Sequence, residues 1–285
     1  RSNFYFNNRK DEGKMKKLIA MTLAVLMMLS LAACAPATTQ TPGGNTPTAT
    51  IPPVEDLTGT DTSTIIGLED GVLTVGMECA YAPYNWTQMD SSNGAVPISN
   101  VPGAYANGYD VMIAKRICEA YGWELEIVSS AWDSLTPAVQ AKTMDANIAG
   151  QSMTADRMAE VDMAGPYYYA TIVCVTKKDS KYANAKSITE LAGGKCTSQS
   201  GTIWYDTCLP QIPNADLQTP AASPSAMIMQ LQTKTVDFIC TDMPTAMGAC
   251  ATYDNLVLLD FSGSDDNFEV DQGEINIGIS VVKGN

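Results

Sequence analysis

The chain has 285 residues, with 31 acidic residues against 17 basic ones and a formal net charge of −14; six of the basic but only two of the acidic residues precede Cys34. A surface of that sign repels phosphate backbones, which argues against a nucleic-acid partner and means that an anionic ligand needs a local cationic pocket. Histidine is absent, which excludes a Ser-His-Asp or Cys-His catalytic pair and any zinc site built on imidazole.

Residues 1–14 precede the first methionine and are read as upstream sequence outside the fold. From Met15, Lys16 and Lys17 lead into the apolar run 18–31, and Ala32, Ala33 and Cys34 follow, in the order positive, hydrophobic, small, cysteine. The run is short for a membrane span. Residues 31–34 resemble the lipobox of bacterial lipoproteins, in which the cysteine sulfur receives diacylglycerol. That resemblance implies a signal peptide over 15–33, lipidation of Cys34, and attachment to a membrane on its extracytoplasmic side; a buried helix is the alternative. Residues 34–64 are rich in Thr, Pro and Gly and lack the apolar content to offset the entropy of ordering, so a flexible tether is expected.

The eight cysteines, Cys34, Cys79, Cys118, Cys174, Cys196, Cys208, Cys240 and Cys250, include no CxxC spacing, so no metal ribbon or redox motif is signalled. With Cys34 set aside as an anchor the number is odd. Buried free thiols are therefore expected in preference to a structural bridge.

The folded part begins with an alternating strand over 72–77. Tyr81, Pro83, Tyr84 and Trp86 follow in a stretch that proline keeps from being helical, and residues 90–107 read as a loop. Gly108 opens a helix whose apolar Val111, Ala114, Ile117 and Tyr121 recur at helical spacing until Gly122, and 123–128 alternates as a strand. Together these make a β-α-β unit.

The chain also contains an internal echo. Residues 140–146 read QAKTMDA and residues 232–238 read QTKTVDF, 92 residues apart, each ending a helical segment and entering a short apolar run. Two copies of one α/β unit are implied. Ligands of open α/β sheets sit beyond the carboxyl ends of the strands. Those positions hold Gly150, Gln151 and Ser152 in the first copy, and Thr241 and Asp242 in the second, so the two sets are expected to face each other across a cleft.

Thr154 is placed to cap a helix beginning just after Ser152. Free amide donors at that helix start, the Ser152 hydroxyl and the two-toothed guanidinium of Arg157 form a receptor for a carboxylate. A solvated helix residue is the other reading of Arg157. Asp242 is read either as the counter-charge of an ammonium or as a cap for a helix beginning at Met243 and Pro244. A carboxylate receptor on one lobe and an ammonium receptor on the other describe an α-amino acid.

From about residue 73 to 284 the chain resembles the family 3 extracellular solute-binding proteins, the polar amino-acid receptors of ABC importers. The resemblance rests on VGMECAYAPYNW, GYDVMIAKRICEAYG, WDSLTPAVQAKTMDANIAGQSMTADRMAEVDMAGPYYY and SGTIW. It implies a bilobal type II periplasmic-binding-protein fold, two α/β lobes joined by a two-strand hinge, with lobe 1 over 65–172, lobe 2 over 173–275 and a return toward lobe 1 over 276–285. It implies further that the aromatic rings of Tyr81 and Trp132 sandwich the ligand and that Arg157 with Ser152 holds its carboxylate. The Gly150 carbonyl and Asp242 hold its ammonium, and Gly201 and Thr202 contribute from lobe 2. Three departures stand out: Met112 where relatives carry an acid, a long loop over 90–107, and an end at Asn285 where relatives continue through two more helices, which predicts a truncated first lobe.

Glu78, Trp86, Gln199 and Trp204 are the candidate walls for the ligand side chain. Glu78 stands where relatives that take basic amino acids place an acid, which points to a polar or cationic ligand; a loop acid in an acidic protein is the equal alternative. No cofactor, metal or catalytic residue is expected. The implied partners are a free amino acid, an ABC permease with its ATPase, and the membrane through the lipid, with the protein itself a monomer. Closure is expected about crossing strands near 170–175 and 275–280. The alternatives are a ligand-sensing domain and a lyase similar to the periplasmic cyclohexadienyl dehydratases, for which Glu78 is the candidate acid or base.

Overall fold

The computed structural model describes residues 52–285. The expected signal peptide, Cys34 and the tether as far as residue 51 lie outside the described residues. Residues 52–64, read from composition as the end of that tether, are laid against a helix: the Arg116 guanidinium donates to the Pro52 carbonyl at 3.0 Å and the Leu57 N–H to the Ala120 carbonyl at 2.7 Å. Composition carries no trace of such backbone hydrogen bonds.

The first unit opens with β1 (Val72–Met77), whose alternate Leu73, Val75 and Met77 are buried. Two short strands follow, β2 (Ala80–Tyr81) and β3 (Asn85–Gln88). The stretch 90–107, expected to be a loop, contributes β4 (Val96–Pro97) and β5 (Tyr105–Asn107), which join β2 and β3 in a four-stranded antiparallel sheet. Strands of two and three residues are too short for period-2 alternation to show in the sequence. Helix α1 (Tyr109–Tyr121) buries Val111, Ala114 and Cys118, and Gly122 ends it at φ 73°, a left-handed position that a side chain would disfavour. Then come β6 (Glu124–Ser129), α2 (Trp132–Gln140), β7 (Ala146–Ser152), α3 (Ala155–Glu160) and β8 (Asp162–Tyr169).

The second unit contains β9 (Ile172–Lys177), β10 (Lys195–Thr197), a π-helical turn (Trp204–Cys208), β11 (Asp216–Leu217), α4 (Pro224–Gln232), β12 (Phe238–Asp242), α5 (Met243–Thr252) and β13 (Leu256–Leu259). The chain then returns to the first sheet as β14 (Asn276–Val281). The two five-stranded sheets run β6-β1-β7-β14-β8 and β11-β10-β12-β9-β13. In each, three parallel strands are followed by an antiparallel fourth: β14 against β7, and β9 against β12.

The internal echo has an identical structural job in both units. In each copy the lysine, Lys142 or Lys234, adopts a positive φ, 57° and 61°. In each copy the aspartate side chain then accepts the N–H of the neighbouring parallel strand, Asp145 from Thr74 at 2.8 Å and Asp237 from Lys195 at 2.9 Å. The motif is a hook that ties the turn after a helix to the neighbouring interior strand of its own sheet, which explains why those residues recur.

Two connections join the lobes. One is the pair Ala170 and Thr171 between β8 and β9; the other is the segment 260–275 between β13 and β14. Residues 275–280, expected to cross, instead lie almost wholly in the first sheet, because β14 is flanked by β7 and β8 and buries Ile277 and Ile279. Among the described residues, no helix is long and apolar enough to cross a membrane.

Candidate ligand-binding site

The carboxyl ends of β1, β7, β10 and β12 converge on one cleft. It is narrow, partly open to solvent, and lined by Tyr81, Trp132, Gly150, Ser152, Arg157, Gln199, Thr202 and Trp204. Seven of the ten candidate ligand residues therefore meet there, together with the candidate wall Trp204. Trp86, in β3, is not among the lining residues.

Arg157 is positioned by α3. Its own N–H caps onto the Thr154 hydroxyl at 3.2 Å, which fixes the first helical turn. The guanidinium lies 5.6 Å from the ring centre of Trp132, donates to the Ser152 carbonyl, and reaches the Gly201 carbonyl of the other lobe at 3.4 Å. Among the described residues it makes no ion pair. Burial pushes its pKa down, with Glu160 opposing. A desolvated cation whose partners are only neutral carbonyls is electrostatically incomplete, and an entering carboxylate would complete it. Gly201 also lies against the indole, since a Cβ on it would stand 3.6 Å from Trp132 Nε1.

Asp242 ends β12 and caps α5, accepting from the Thr245 N–H at 2.9 Å and the Thr245 hydroxyl at 3.1 Å. The Tyr81 hydroxyl closes onto the same carboxylate from the opposite lobe. The cap reading of Asp242 is thus present in the structure, while the carboxylate is buried behind Tyr81 and does not itself line the cleft. Burial raises its pKa, opposed by the hydrogen bonds from Tyr81 and Thr245.

Glu78 does not line the cleft directly. One of its oxygens accepts from the Gln199 amide at 3.0 Å, and the other, Oε2, is buried without a partner among the described residues. Burial pushes this carboxyl up to about 7, with Gln199 opposing and the charge of Asp133 adding to the rise. Thr202 supports Gln199 by donating to its carbonyl at 2.8 Å.

Behind Gly150 lies a buried network that the sequence reading did not single out. The Gly150 N–H donates to the Tyr167 hydroxyl at 3.0 Å, and that hydroxyl donates to Asp110 at 2.7 Å. The second Asp110 oxygen accepts from the Asn85 amide at 2.7 Å, whose own oxygen accepts the Cys79 N–H at 2.8 Å. Burial raises the Asp110 carboxyl to about 6 even against its two hydrogen bonds. Gly150 itself has φ +64°, and a Cβ there would stand 2.6 Å from the Tyr81 ring, so the close seating of ring on backbone requires glycine. Asp110 was visible only as a first-turn helix acid; nothing local in the sequence distinguishes it from a solvated one.

Residues 73–199 match the family described as bacterial extracellular solute-binding proteins, family 3. The arginine-binding extracellular protein ArtP of Bacillus subtilis is 31% identical over 115 residues, which is 40% of this chain and 44% of that protein. The matched stretch is thus less than half the length of that relative. Among solved structures, the substrate-binding protein of an amino acid ABC transporter superposes with a TM-score of 0.61 at 26% identity, covering 75% of this chain and 86% of that one. A truncated, arginine-bound ArgBP from T. maritima gives a TM-score of 0.57 at 26% identity, covering 75% and 89%.

Proposed function

We propose that the chain, whose residues 73–199 match the bacterial extracellular solute-binding proteins of family 3, works as one of them: it captures a free amino acid between its two lobes outside the cytoplasm and hands it to the permease of an ABC importer. The single observation that carries the reading is Arg157: a largely desolvated guanidinium without a carboxylate partner among the described residues, lining a cleft of an otherwise acidic protein. The ligand carboxylate docks there with Ser152 and the start of α3, its ammonium faces the Gly150 carbonyl and Asp242, and Trp132 and Tyr81 bracket it. Gly201 and Thr202 close from lobe 2, so ligand contacts drawn from both lobes favour the closed form over the open one.

The side-chain end of the cleft supports a cationic ligand. Glu78 offers a buried oxygen with no partner, and a guanidinium or ammonium entering beside Gln199 would supply one. ArtP, an arginine-binding protein, and the arginine-bound ArgBP are consistent with that choice. The protein works as a monomer without cofactor, tethered through a lipid on Cys34. Metabolic labelling with a fatty-acid analogue, lost in Cys34→Ser, tests the anchor.

Glu78 also favours one second reading, since a carboxyl held near neutrality suits a general acid or base in a dehydratase-like lyase. Isothermal titration with the twenty amino acids, beside an assay for water elimination from cyclohexadienyl acids, separates the two. Saturable binding of arginine or lysine without turnover supports the receptor; turnover without amino-acid binding removes it.

A further inference from the structure

Four cysteines of lobe 2 are gathered on one face of its sheet. Cys174 on β9, Cys196 on β10 and Cys240 on β12 are fully buried, and Cys208, the last residue of the π-helical turn, packs in the same cluster. Their strand neighbours Val173, Val175 and Ile239 pack in a different cluster, as the alternation of a strand requires. Cys240 stands directly opposite Cys174 in the β9–β12 ladder. The turn that ends in Cys208 packs against β12, and burial, with the neighbouring Cys174 and Cys208 thiols adding to it, raises the pKa of the Cys240 thiol. In sequence these three are 34 and 32 residues apart, so only the fold brings them together.

We propose that Cys240 forms a disulfide with Cys208 when lobe 2 folds in an oxidising environment, with Cys174 as the alternative partner. The preference follows from geometry. Residues directly opposite in an antiparallel ladder hold their Cβ atoms about 4.5–5.5 Å apart, wider than the roughly 3.5–4.5 Å that a relaxed disulfide wants. Cys208 belongs to a short helical turn above the sheet and is not bound to that spacing. In the reaction each thiol gives up its hydrogen and the S–S bond forms. The two electrons and two protons pass to the disulfide of an exchange partner such as oxidised glutathione, which leaves as two thiols.

The bond belongs to folding rather than to the folded protein. Once the core has closed, neither oxidant nor reductant reaches these sulfurs, and burial keeps the Cys240 thiol protonated and therefore a poor nucleophile. The redox state set during folding then persists. The link would tie β12, which ends in Asp242, to the turn that begins with Trp204, so two lobe 2 elements beside the cleft become one covalent loop. The oxidant in the cell depends on the extracytoplasmic location proposed above; the chemistry in the test tube does not.

The full chain is denatured, reduced, and refolded either with a glutathione redox pair or with excess reductant, then unfolded, alkylated and mapped by mass spectrometry. Oxidative refolding is expected to protect two cysteines and to yield a peptide joining Cys208 to Cys240. It should also raise the midpoint of thermal unfolding by about 5–10 °C. In Cys208→Ala the link should move to Cys174, and in Cys240→Ala no link among the three should form. If Cys240→Ala fails to fold, the double variant Cys174→Ala/Cys208→Ala, which leaves Cys240 unpartnered, takes its place. Oxidant added to the already folded, reduced protein should leave the thiol count unchanged over hours. A natively refolded protein with all thiols free, or a link that bypasses Cys240, overturns the proposal; a Cys174–Cys240 link in the unaltered chain overturns the choice of Cys208.

Discussion

Glu78 and Gln199 face each other between the lobes, the Gln199 amide donating at 3.0 Å to one oxygen of a carboxyl whose other oxygen is buried and unpartnered. Because burial raises this carboxyl from 4.5 to about 7, the folded protein prefers it protonated. The associated stability is fully present below pH 4.5 and is lost as pH rises through about 7, a swing of about 3 kcal/mol at most. The unliganded protein is therefore expected to melt at a higher temperature at pH 5 than at pH 8. Glu78→Gln should flatten that slope, leaving the smaller part due to Asp110, which is raised in the same direction to about 6. Calorimetric melting across pH 5–8 reads both.

Binding of a cationic amino acid pairs Glu78 and pulls its pKa back down, so arginine binding near pH 7 should release protons. Titrations in two buffers of different ionisation enthalpy should then give different apparent enthalpies, and the difference should vanish in Glu78→Gln. The same variant should lose affinity for arginine by roughly ten- to a hundredfold while glutamine is little affected. An unchanged preference for arginine over glutamine would remove Glu78 from the site.

Arg157→Ala should weaken any α-amino acid ligand by about 3 kcal/mol or more, roughly a hundredfold in Kd, because the carboxylate is then buried without its partner. The folded apo protein should melt within a few degrees of the unaltered one, since Arg157 makes no ion pair among the described residues. Near-normal affinity by calorimetry would refute the carboxylate assignment.

Gly150→Ala places a methyl 2.6 Å from the Tyr81 ring at a positive φ. Either the ring moves, losing its hydrogen bond to Asp242, or the strand end does. A loss of about 1–3 kcal/mol in stability is expected, together with weakened binding. Thermal melting and titration of the same preparation check it.

Tyr167→Phe removes the hydroxyl that accepts from Gly150 and donates to Asp110, leaving a buried donor and a buried acceptor unsatisfied at a cost of about 1–3 kcal/mol each. Asp110 should then titrate at a still higher pH, because the hydrogen bond that lowers its pKa is gone. Asp110→Asn in the Tyr167→Phe background should recover part of the stability lost above pH 6, which differential scanning calorimetry would detect.

Much of this protein is legible in its sequence. The β1 alternation and the Gly108 and Gly122 bounds of α1 are set by backbone preference and side-chain spacing within a few residues, and the QxKTxD echo shows as a local repeat although its aspartates bond strands 71 and 42 positions away. Arg157 and Asp242 could be placed at the ends of the two repeats because a strand-to-helix turn is itself a local signal. The strands β4 and β5 were not legible, since two or three residues carry no periodicity and their pairing is set by partners up to about twenty positions away.

By itself, then, the sequence determined the two repeated α/β units and the positions of Arg157 after the first and Asp242 at the end of the second, which periodicity and local turn signals suffice to mark. Only the tertiary structure decided what faces what: Asp110 through Tyr167 onto Gly150, Tyr81 onto Asp242, Gln199 onto Glu78, and Cys240 opposite Cys174. The reason is physical. Burial, and with it every shifted pKa and unpaired oxygen in the cleft, is a property of what packs around a group, and those neighbours come from other strands and from the other lobe.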